Sequence, residues 1–491
     1  MIGHGQIEGF SEKYGMEFRH AYWNEPVDES MVQRHEREIF PLLHQRALFA
    51  GVEQFLLYDF FTPDGTVNED VFAYSNGLGS ERTLVIYHNK FASTRGWIRM
   101  SIGFPEKTGA GDKVIVQRTL GEGLNLHPVD DTFVVFRDQI SGLEYIRPAR
   151  ELVDKGMYVE LEAYKYHVFM NFREINDDAW GSYRQASEML GGRGVPSIEE
   201  ALKELLLKPV QQPFQQIANP GYFGYLLASH LGKEKHALPQ NLLSEALEKM
   251  RPLLFGVEAI TGHTFDKESL LVELKTILNA LLCLPVLEDF YPLPTSRIYP
   301  AAGFYLKSCL IDNEHRWMPL FAWSFSHSLG KAVTPVNFED QSLSWLDEWQ
   351  FSKIINEAYL TTGLTAPEIW RLNLALRLMV AQQNWFEKMG NKPLNQILEH
   401  WLADSDVQRF IGVNRYKDVL WFNQESFEEF VWYMMITATL VAAARPGTSS
   451  SEVVETILTT FEITGGLLKA EKASAYQVAR LLKAAEEKTV L

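Results

Sequence analysis

Cysteine is scarce in this chain: Cys283 and Cys309 are the only two among 491 residues. Two thiols cannot build a disulfide framework or a four-cysteine zinc site, so a reducing, cytoplasmic setting is expected. Positive charge is also short. Lys and Arg total 46 against 63 Asp and Glu, a formal net charge of −17. That balance argues against nucleic acid as a partner, because a phosphate-binding surface needs an excess of cations. Long apolar runs are missing too. The nearest, Phe430 to Ala444, is interrupted only by Thr437 and Thr439. Its ~15 residues fall short of the ~20 that span a bilayer, so it reads as a buried helix with no membrane partner. The first twenty residues hold Glu8, Glu12, Lys13 and Glu17 where a secretory leader would carry an apolar run.

Signatures of chemistry are equally sparse. There is no Gly-x-Ser-x-Gly elbow. Gly121-Glu122-Gly123 and Gly77–Gly79 lack the Lys-Ser/Thr of a phosphate loop and read as turns. His4, His20, His35 and His44 crowd the first fifty residues without the paired spacing of a metal-binding helix. No metal and no cofactor is therefore expected. Adjacent carboxylates such as Asp130-Asp131 and Glu288-Asp289 splay apart on either a strand or a helix, and read as solvated faces.

What is present begins with Gly3-His4-Gly5-Gln6-Ile7-Glu8-Gly9-Phe10. Closely spaced glycines let a backbone turn sharply or approach a ligand, a provision for the mouth of a fold. A helical pattern follows: Asp28 or Ser30 can cap it, and Met31, His35, Ile39, Leu42 and Leu43 recur at helical spacing. Glu29, Arg34, Glu36, Arg37 and Glu38 would form its solvated side, and Pro41 should kink or restart it. A site-mouth loop followed by an amphipathic helix is one βα unit of an α/β barrel.

From Val52 the period shortens to 2. Gln54–Phe61, Asp70–Tyr74, Thr83–Tyr87, Trp97–Met100, Lys113–Arg118 and Thr132–Arg137 are short and rich in β-branched or aromatic residues, with turn signals between them. Val159, Leu161 and Ala163 alternate with glutamates; then Tyr164, Tyr166 and Val168 alternate with Lys165 and His167. The apolar set slips by one residue at Ala163-Tyr164, which predicts a bulge or a turn there. Residues 52–172 read as an antiparallel β-sandwich of seven or eight strands. Beyond Asn176 helices take over, with capping boxes expected at Ser197/Glu200, Thr365/Glu368, Ser449/Glu452 and Ser474/Gln477. Ten of the twelve tryptophans lie in this part. Trp345 and Trp349, four residues apart on one helix face, and Trp421 beside Phe422 can either pack a core or stack on sugar rings.

The order of these segments resembles the α-amylase family of glycoside hydrolases (family thirteen). Gly5-Gln6-Ile7-Glu8-Gly9 looks like a variant of the Gly-Gln-Glu-like element at the family's eighth barrel strand. Glu12-Lys13-Tyr14-Gly15-Met16-Glu17 and Ala21-Tyr22-Trp23 are similar to bacterial members with long C-terminal extensions. Asp70–Asn76, Thr83–Asn89 and Leu161–Phe172 resemble strands of the β-domain after the barrel. Ile411–Tyr416 with Val419–Asn423 looks like part of the helical extension.

The resemblance implies a multidomain β + α chain. Residues 1–51 would be the last, incomplete βα unit of a (β/α)8 barrel, 52–175 an antiparallel β-sandwich, and 176–491 an all-α extension of one or two subdomains. The family cleaves or transfers α-glucosidic linkages with a carboxylate pair. Its catalytic residues come from strands upstream of the position matched by Gly5-Gln6, so none is carried over, and the chain alone is expected to be inactive. His4, Gln6 and Glu8 are the candidates for a substrate rim, and Trp345, Trp349 and Trp421 for a glycan platform. An α-glucan or oligosaccharide is the expected ligand. A missing N-terminal barrel or another subunit would pack on residues 28–50. The competing expectation is a non-catalytic glycan-binding or scaffold protein built from the accessory domains.

Overall fold

The computed structural model describes residues 5–11, 24–107, 112–178, 180–231, 237–293 and 296–486. His4, residues 12–17 and residues 21–23 lie outside them. The chain divides into two compact units, Met1–Leu206 and Leu207–Leu491. The first is built on an antiparallel sheet and the second is almost entirely helical, so the fold is mixed β and α.

The sheet has eight strands: β1 (Leu56–Phe61), β2 (Val71–Leu78), β3 (Glu81–His88), β4 (Thr94–Ser101), β7 (Thr132–Asp138), β8 (Glu144–Pro148), β9 (Met157–Leu161) and β10 (Tyr166–Asn176). They run in the order β8-β7-β10-β3-β2-β1-β4-β9. The expected strand at Lys113–Arg118 is β6 (Lys113–Val116), which pairs only with β5 (Phe104–Lys107) in a separate hairpin. Alternation sets the faces, as Leu56, Tyr58 and Phe60 turn inward while Leu57, Asp59 and Phe61 do not.

The slip at Ala163-Tyr164 is a turn. Tyr164 sits at φ 56° and its N–H donates to the Lys90 carbonyl at 3.2 Å. This turn also shapes the whole sheet. Between Leu161 and Tyr166 the chain crosses from the β9 edge to β10, five strand positions away. Five Cα steps cover at most about 18 Å, whereas five spacings in a flat sheet measure about 24 Å. The sheet must therefore fold over, and its core agrees. Val134 and Phe136 of β7 share one cluster with Ile98 of β4 and Val159 of β9. Two short helices fill the gap: α4 (Leu120–Gly123) packs on β4, and α5 (Ala149–Asp154) packs on β7 and β8.

Ahead of the sheet come α1 (Glu29–Glu38), α2 (Phe40–His44) and α3 (Arg46–Ala50). Asp28 caps α1, accepting from Ser30 N at 3.0 Å and Met31 N at 3.1 Å. Pro41 sits at the start of α2, where its missing N–H costs nothing. Leu42, Leu48 and Phe49 pack on Val85, Val168 and Met170, so part of this segment's apolar face is covered by the sheet. Met31 and Leu43 remain exposed. Glu38, assigned above to the solvated side, is instead buried against the sheet. It accepts from Arg34 Nε at 3.0 Å, from Arg37 Nη2 at 2.7 Å and from the Tyr166 hydroxyl. Burial alone would push its carboxyl up, but these three donors outweigh it and hold the group at about 2.

The division between the two compact units falls within the helix Ile198–Ile217. Residues 176–206 belong with the sheet because Ala186, Leu190, Ile198 and Leu202 pack on Phe133, Val135 and Ile146. In the helical unit, Lys267–Phe290 and Gln424–Ala444 are long and apolar enough to cross a membrane, but both are mostly buried among other helices, as core helices are. The Thr365/Glu368 and Ser449/Glu452 boxes form. Ser197 contributes half a box, accepting from Glu200 N at 3.2 Å. Ser474 does not cap a helix start: its hydroxyl donates back to Glu471 O at 2.6 Å, because Ala475 and Tyr476 adopt positive φ and turn the chain there.

Three variants test this packing. The Glu38 carboxyl lies below its unfolded value of about 4.3. Its contribution is therefore complete above that pH and is lost as pH falls from about 4.5 towards 2. Thermal melts of Glu38→Gln across this range should show a shallower acid loss than the parent chain, and Tyr166→Phe should cost about 1–2 kcal/mol at neutral pH. In the helical unit, a Cβ on Gly256 would lie 2.0 Å from the Pro209 carbonyl oxygen. Gly256→Ala should lower stability by about 1–3 kcal/mol in denaturant titration.

Candidate functional site

Gln6 and Glu8 lie on one tight turn. Phe10 N donates to Gly5 O at 2.9 Å, with Gly5 at φ 73° and Gly9 at φ 79°. Glycine is required twice over at Gly5, where a Cβ would also come within 2.8 Å of Phe10 Cβ. The turn is mounted on the start of α1: Asp28 N donates to Glu8 O at 2.9 Å, and Ser11 N donates to a Glu25 carboxylate oxygen at 3.1 Å. Gln6 is exposed and Glu8 half-buried. A cavity of about 370 Å³ lies between α1 and Tyr166, and neither Gln6 nor Glu8 lines it.

A larger cleft opens where the sheet forks. β10 pairs with β3 only from Tyr166 to Phe169, then continues with β7 alone to Asn176. A bulge between Met170 and Arg173, with Asn171 at φ 58°, turns it away. Asn is among the few residues that tolerate that backbone region. The cleft, about 790 Å³, carries Arg82, Arg137 and Arg173 on its wall beside half-buried Phe172. Arg82 already donates to the Gly79 and Glu81 carbonyls, and Arg173 lies 3.7 Å from Glu144. This wall is rich in donors.

The tryptophans separate into two classes. Trp345 and Trp349 are each 4% exposed and stack on one another with centroids 4.0 Å apart. Trp349 also meets Phe351, which stacks on Phe214. Both belong to the core, and no ring face is open to a sugar. Their i, i+4 spacing built a core stripe. Trp421 is half-buried on β12 (Val419–Trp421), paired with β11 (Asn414–Tyr416) through a two-residue turn whose Lys417 and Asp418 both have positive φ. Trp421 lies diagonal to the exposed Tyr416 on one hairpin face, and is the one candidate of the three within reach of a ligand.

One group of paired ionisable side chains lies outside the residues singled out from the sequence. In the helical unit Lys331 Nζ donates to both carboxylate oxygens of Glu273 at 2.7 Å, and His327 Nε2 lies 3.3 Å from the same group. Burial would raise the Glu273 carboxyl, but His327 and Lys331 hold it at about 2. Glu339, 4% exposed, accepts from Lys388 Nζ at 2.9 Å and Asn384 Nδ2 at 2.7 Å. These partners lower its carboxyl against the opposing effect of burial. Arg445 pairs with Glu387. All three pairs line one cavity of about 820 Å³. Their members are scattered over more than 170 residues, so no local motif could reveal them.

Among the described residues no group of three or more His, Cys, Asp or Glu could hold a metal ion. Burial pushes the Cys283 thiol up to about 11, which makes it a poor nucleophile at neutral pH. Comparison with protein-family models, with curated proteins and with solved structures finds no match to this chain.

Because Trp345 and Trp349 are core residues, Trp349→Ala should lower stability by about 3–5 kcal/mol in denaturant titration. A variant that stays equally stable would contradict the packing.

Proposed function

We propose that this chain is an accessory region of an α-amylase-like carbohydrate-active enzyme that acts on α-glucosidic linkages. One observation carries the reading. The three β-segments that resemble the family's post-barrel domain become β2, β3 and β10, which are immediate neighbours in the sheet. The helix that follows the Gly5–Gly9 turn docks on Tyr166 of that same β10. The three β-segments and the helix after the glycine turn are therefore neighbours in space as well as ordered in sequence.

On this reading α1 to α3 correspond to the end of a (β/α)8 barrel. The two ends of the folded sheet are the layers of a sandwich. Exposed Met31 and Leu43 offer the surface on which a barrel or another subunit packs. Gln6 and Glu8 border a substrate rim, and no catalytic carboxylate is assigned to this chain. A reducing, cytoplasmic location suits the buried Cys283 thiol. A second reading, a glycan-binding or scaffold protein without a catalytic partner, is favoured by the polar cavity of the helical unit and by the Tyr416–Trp421 face.

The purified chain should not turn over starch, maltodextrin or trehalose, and its migration should be slowed in gels containing amylose or glycogen. Turnover that a single carboxylate substitution in this chain abolishes would overturn the accessory reading. Unretarded migration would count against the carbohydrate reading altogether.

A further inference from the structure

Four helices of the helical unit surround a second cavity, of about 460 Å³, and two of them line it with regular stripes. On the helix Phe351–Leu360 the lining side chains include Asn356 and Leu360, four residues apart. On the helix Ala366–Ala381 they include Trp370, Asn373 and Arg377, at i, i+3 and i+7. Those spacings place each set on one face of its helix. Asp347 comes from the helix Glu339–Glu348, and Asp406 with Arg409 from Ser405–Phe410. A volume of this size lies within the range of small-molecule sites.

Trp370 is 54% exposed, in contrast to the core pair Trp345 and Trp349. Among the described residues no aromatic ring stacks on it, and its indole N–H makes no hydrogen bond. Leu360, 59% exposed, adds apolar surface to the same wall. An indole left uncovered at a cavity holds water against a large apolar face, and a stacked ring would release that water.

The polar groups of the wall are held in place and only partly used. Asn373 Nδ2 donates to the Asn356 side-chain oxygen and to Ile369 O, the latter at 2.9 Å. The Asn356 amide nitrogen then has both N–H groups free among the described residues. Arg377 donates through Nη1 to Asp347 Oδ2 at 2.7 Å and through Nε to Asp406 Oδ2 at 3.1 Å, and its Nη2 is uncommitted. Asp347 has a side chain 58% exposed, and its Oδ1 takes no bond from the described residues. Asn373 Oδ1, by contrast, is sealed inside and takes no part. Asp347 and Asp406 balance Arg377 and Arg409, so the wall favours neither an anion nor a cation.

A ligand that fits is uncharged, has an apolar face for the indole, and carries groups that both donate and accept. A pyranose ring has C–H bonds on its faces and hydroxyls around its rim, each hydroxyl a donor and an acceptor. A nucleotide would bring phosphate charge that this wall does not neutralise. Seven residues of helix separate Trp370 from Arg377, about 10 Å along the axis, so a ligand of more than one ring reaches both ends.

We propose that this cavity binds a short neutral oligosaccharide. One ring stacks on the Trp370 indole, and hydroxyls of the next donate to Asp347 Oδ1 and accept from Asn356 Nδ2 and Arg377 Nη2. The choice of an α-glucan among such ligands rests on the carbohydrate reading above; the site itself does not. The Arg377 ion pairs and the Asn356–Asn373 bond are positioning contacts that fix these groups before a ligand arrives.

Titration calorimetry of the full chain with maltotriose and with cellotriose tests this. Maltotriose should bind, and Trp370→Ala should weaken it about 10-fold. Trp370→Phe keeps an aromatic face and should stay within about 3-fold of the parent. Asp347→Asn replaces the open acceptor and should weaken binding about 5-fold. Both positions are exposed, so these variants should melt at the parent temperature, which separates a lost contact from a lost fold. Trp421→Ala should leave the maltotriose affinity as it was. Unchanged affinity in Trp370→Ala overturns the inference, and with amylose retardation retained it leaves the carbohydrate reading in place. Binding of cellotriose alone, lost in Trp370→Ala, supports the site and counts against the α-glucan reading. Heat from neither sugar overturns the inference; a sedimentation coefficient that then differs between parent and Trp370→Ala assigns the indole to a contact between chains.

Discussion

The sheet unit depends on a short connection. Residues 162–165 must carry the chain from the outermost strand β9 to β10 in the interior of the order, and an extended stretch of that length cannot bridge a flat eight-stranded sheet. Folding over is thus a covalent requirement as much as a packing preference. It brings Val134 and Phe136 opposite Ile98 and Val159, which creates one core where a flat sheet would have two open faces. Leu120 and Leu152, on the two short helices, close the space that folding leaves. The αL conformation of Tyr164 is tolerated because the neighbouring backbone over-determines it, with hydrogen bonds to Lys90 and across Glu162–Lys165.

Both units bury carboxylates, and at Glu38 and Glu273 the desolvation problem is met by surrounding the anion with donors, whereas burial pushes the Glu471 carboxyl, with neither oxygen bonded, up. Glu38 and Glu273 are each held at about 2 against the effect of burial. A buried pair of this kind adds little net stability relative to an apolar core, but losing one partner is severe. Such pairs therefore specify geometry more than they stabilise it. At Glu38 the specified geometry is the seating of α1 on β10. At Glu273 and Glu339 it is the shape and polarity of a cavity wall. Glu339 differs from the other two in one respect: its donors satisfy one oxygen only.

Several features were legible from residue order because they are local. The restart at Pro41, the cap at Asp28, the one-residue slip at Ala163-Tyr164 and two complete capping boxes all follow from contacts within a few residues. What escaped depends on distant partners. Glu38 reads as polar by residue type, because its partner Tyr166 lies 128 residues away in the sequence. The break after Glu38 rotates the apolar stripe out of line, and Leu42, Leu48 and Phe49 dock from separate turns. β8 was missed because Glu144, Tyr145, Arg147 and Pro148 leave Ile146 as its only buried residue. The end of β10 at the fork, and with it the arginine-lined cleft, is set by whether β3 or β7 keeps the strand, a choice that no pattern within β10 records.

The tryptophans show why residue type alone misplaces a glycan site. An aromatic ring stacks on a sugar only while one face stays dry and open, and the i, i+4 spacing of Trp345 and Trp349 gives each ring the other as its nearest stacking partner. Each ring keeps a second face, but with both side chains 4% exposed that face lies in the core as well.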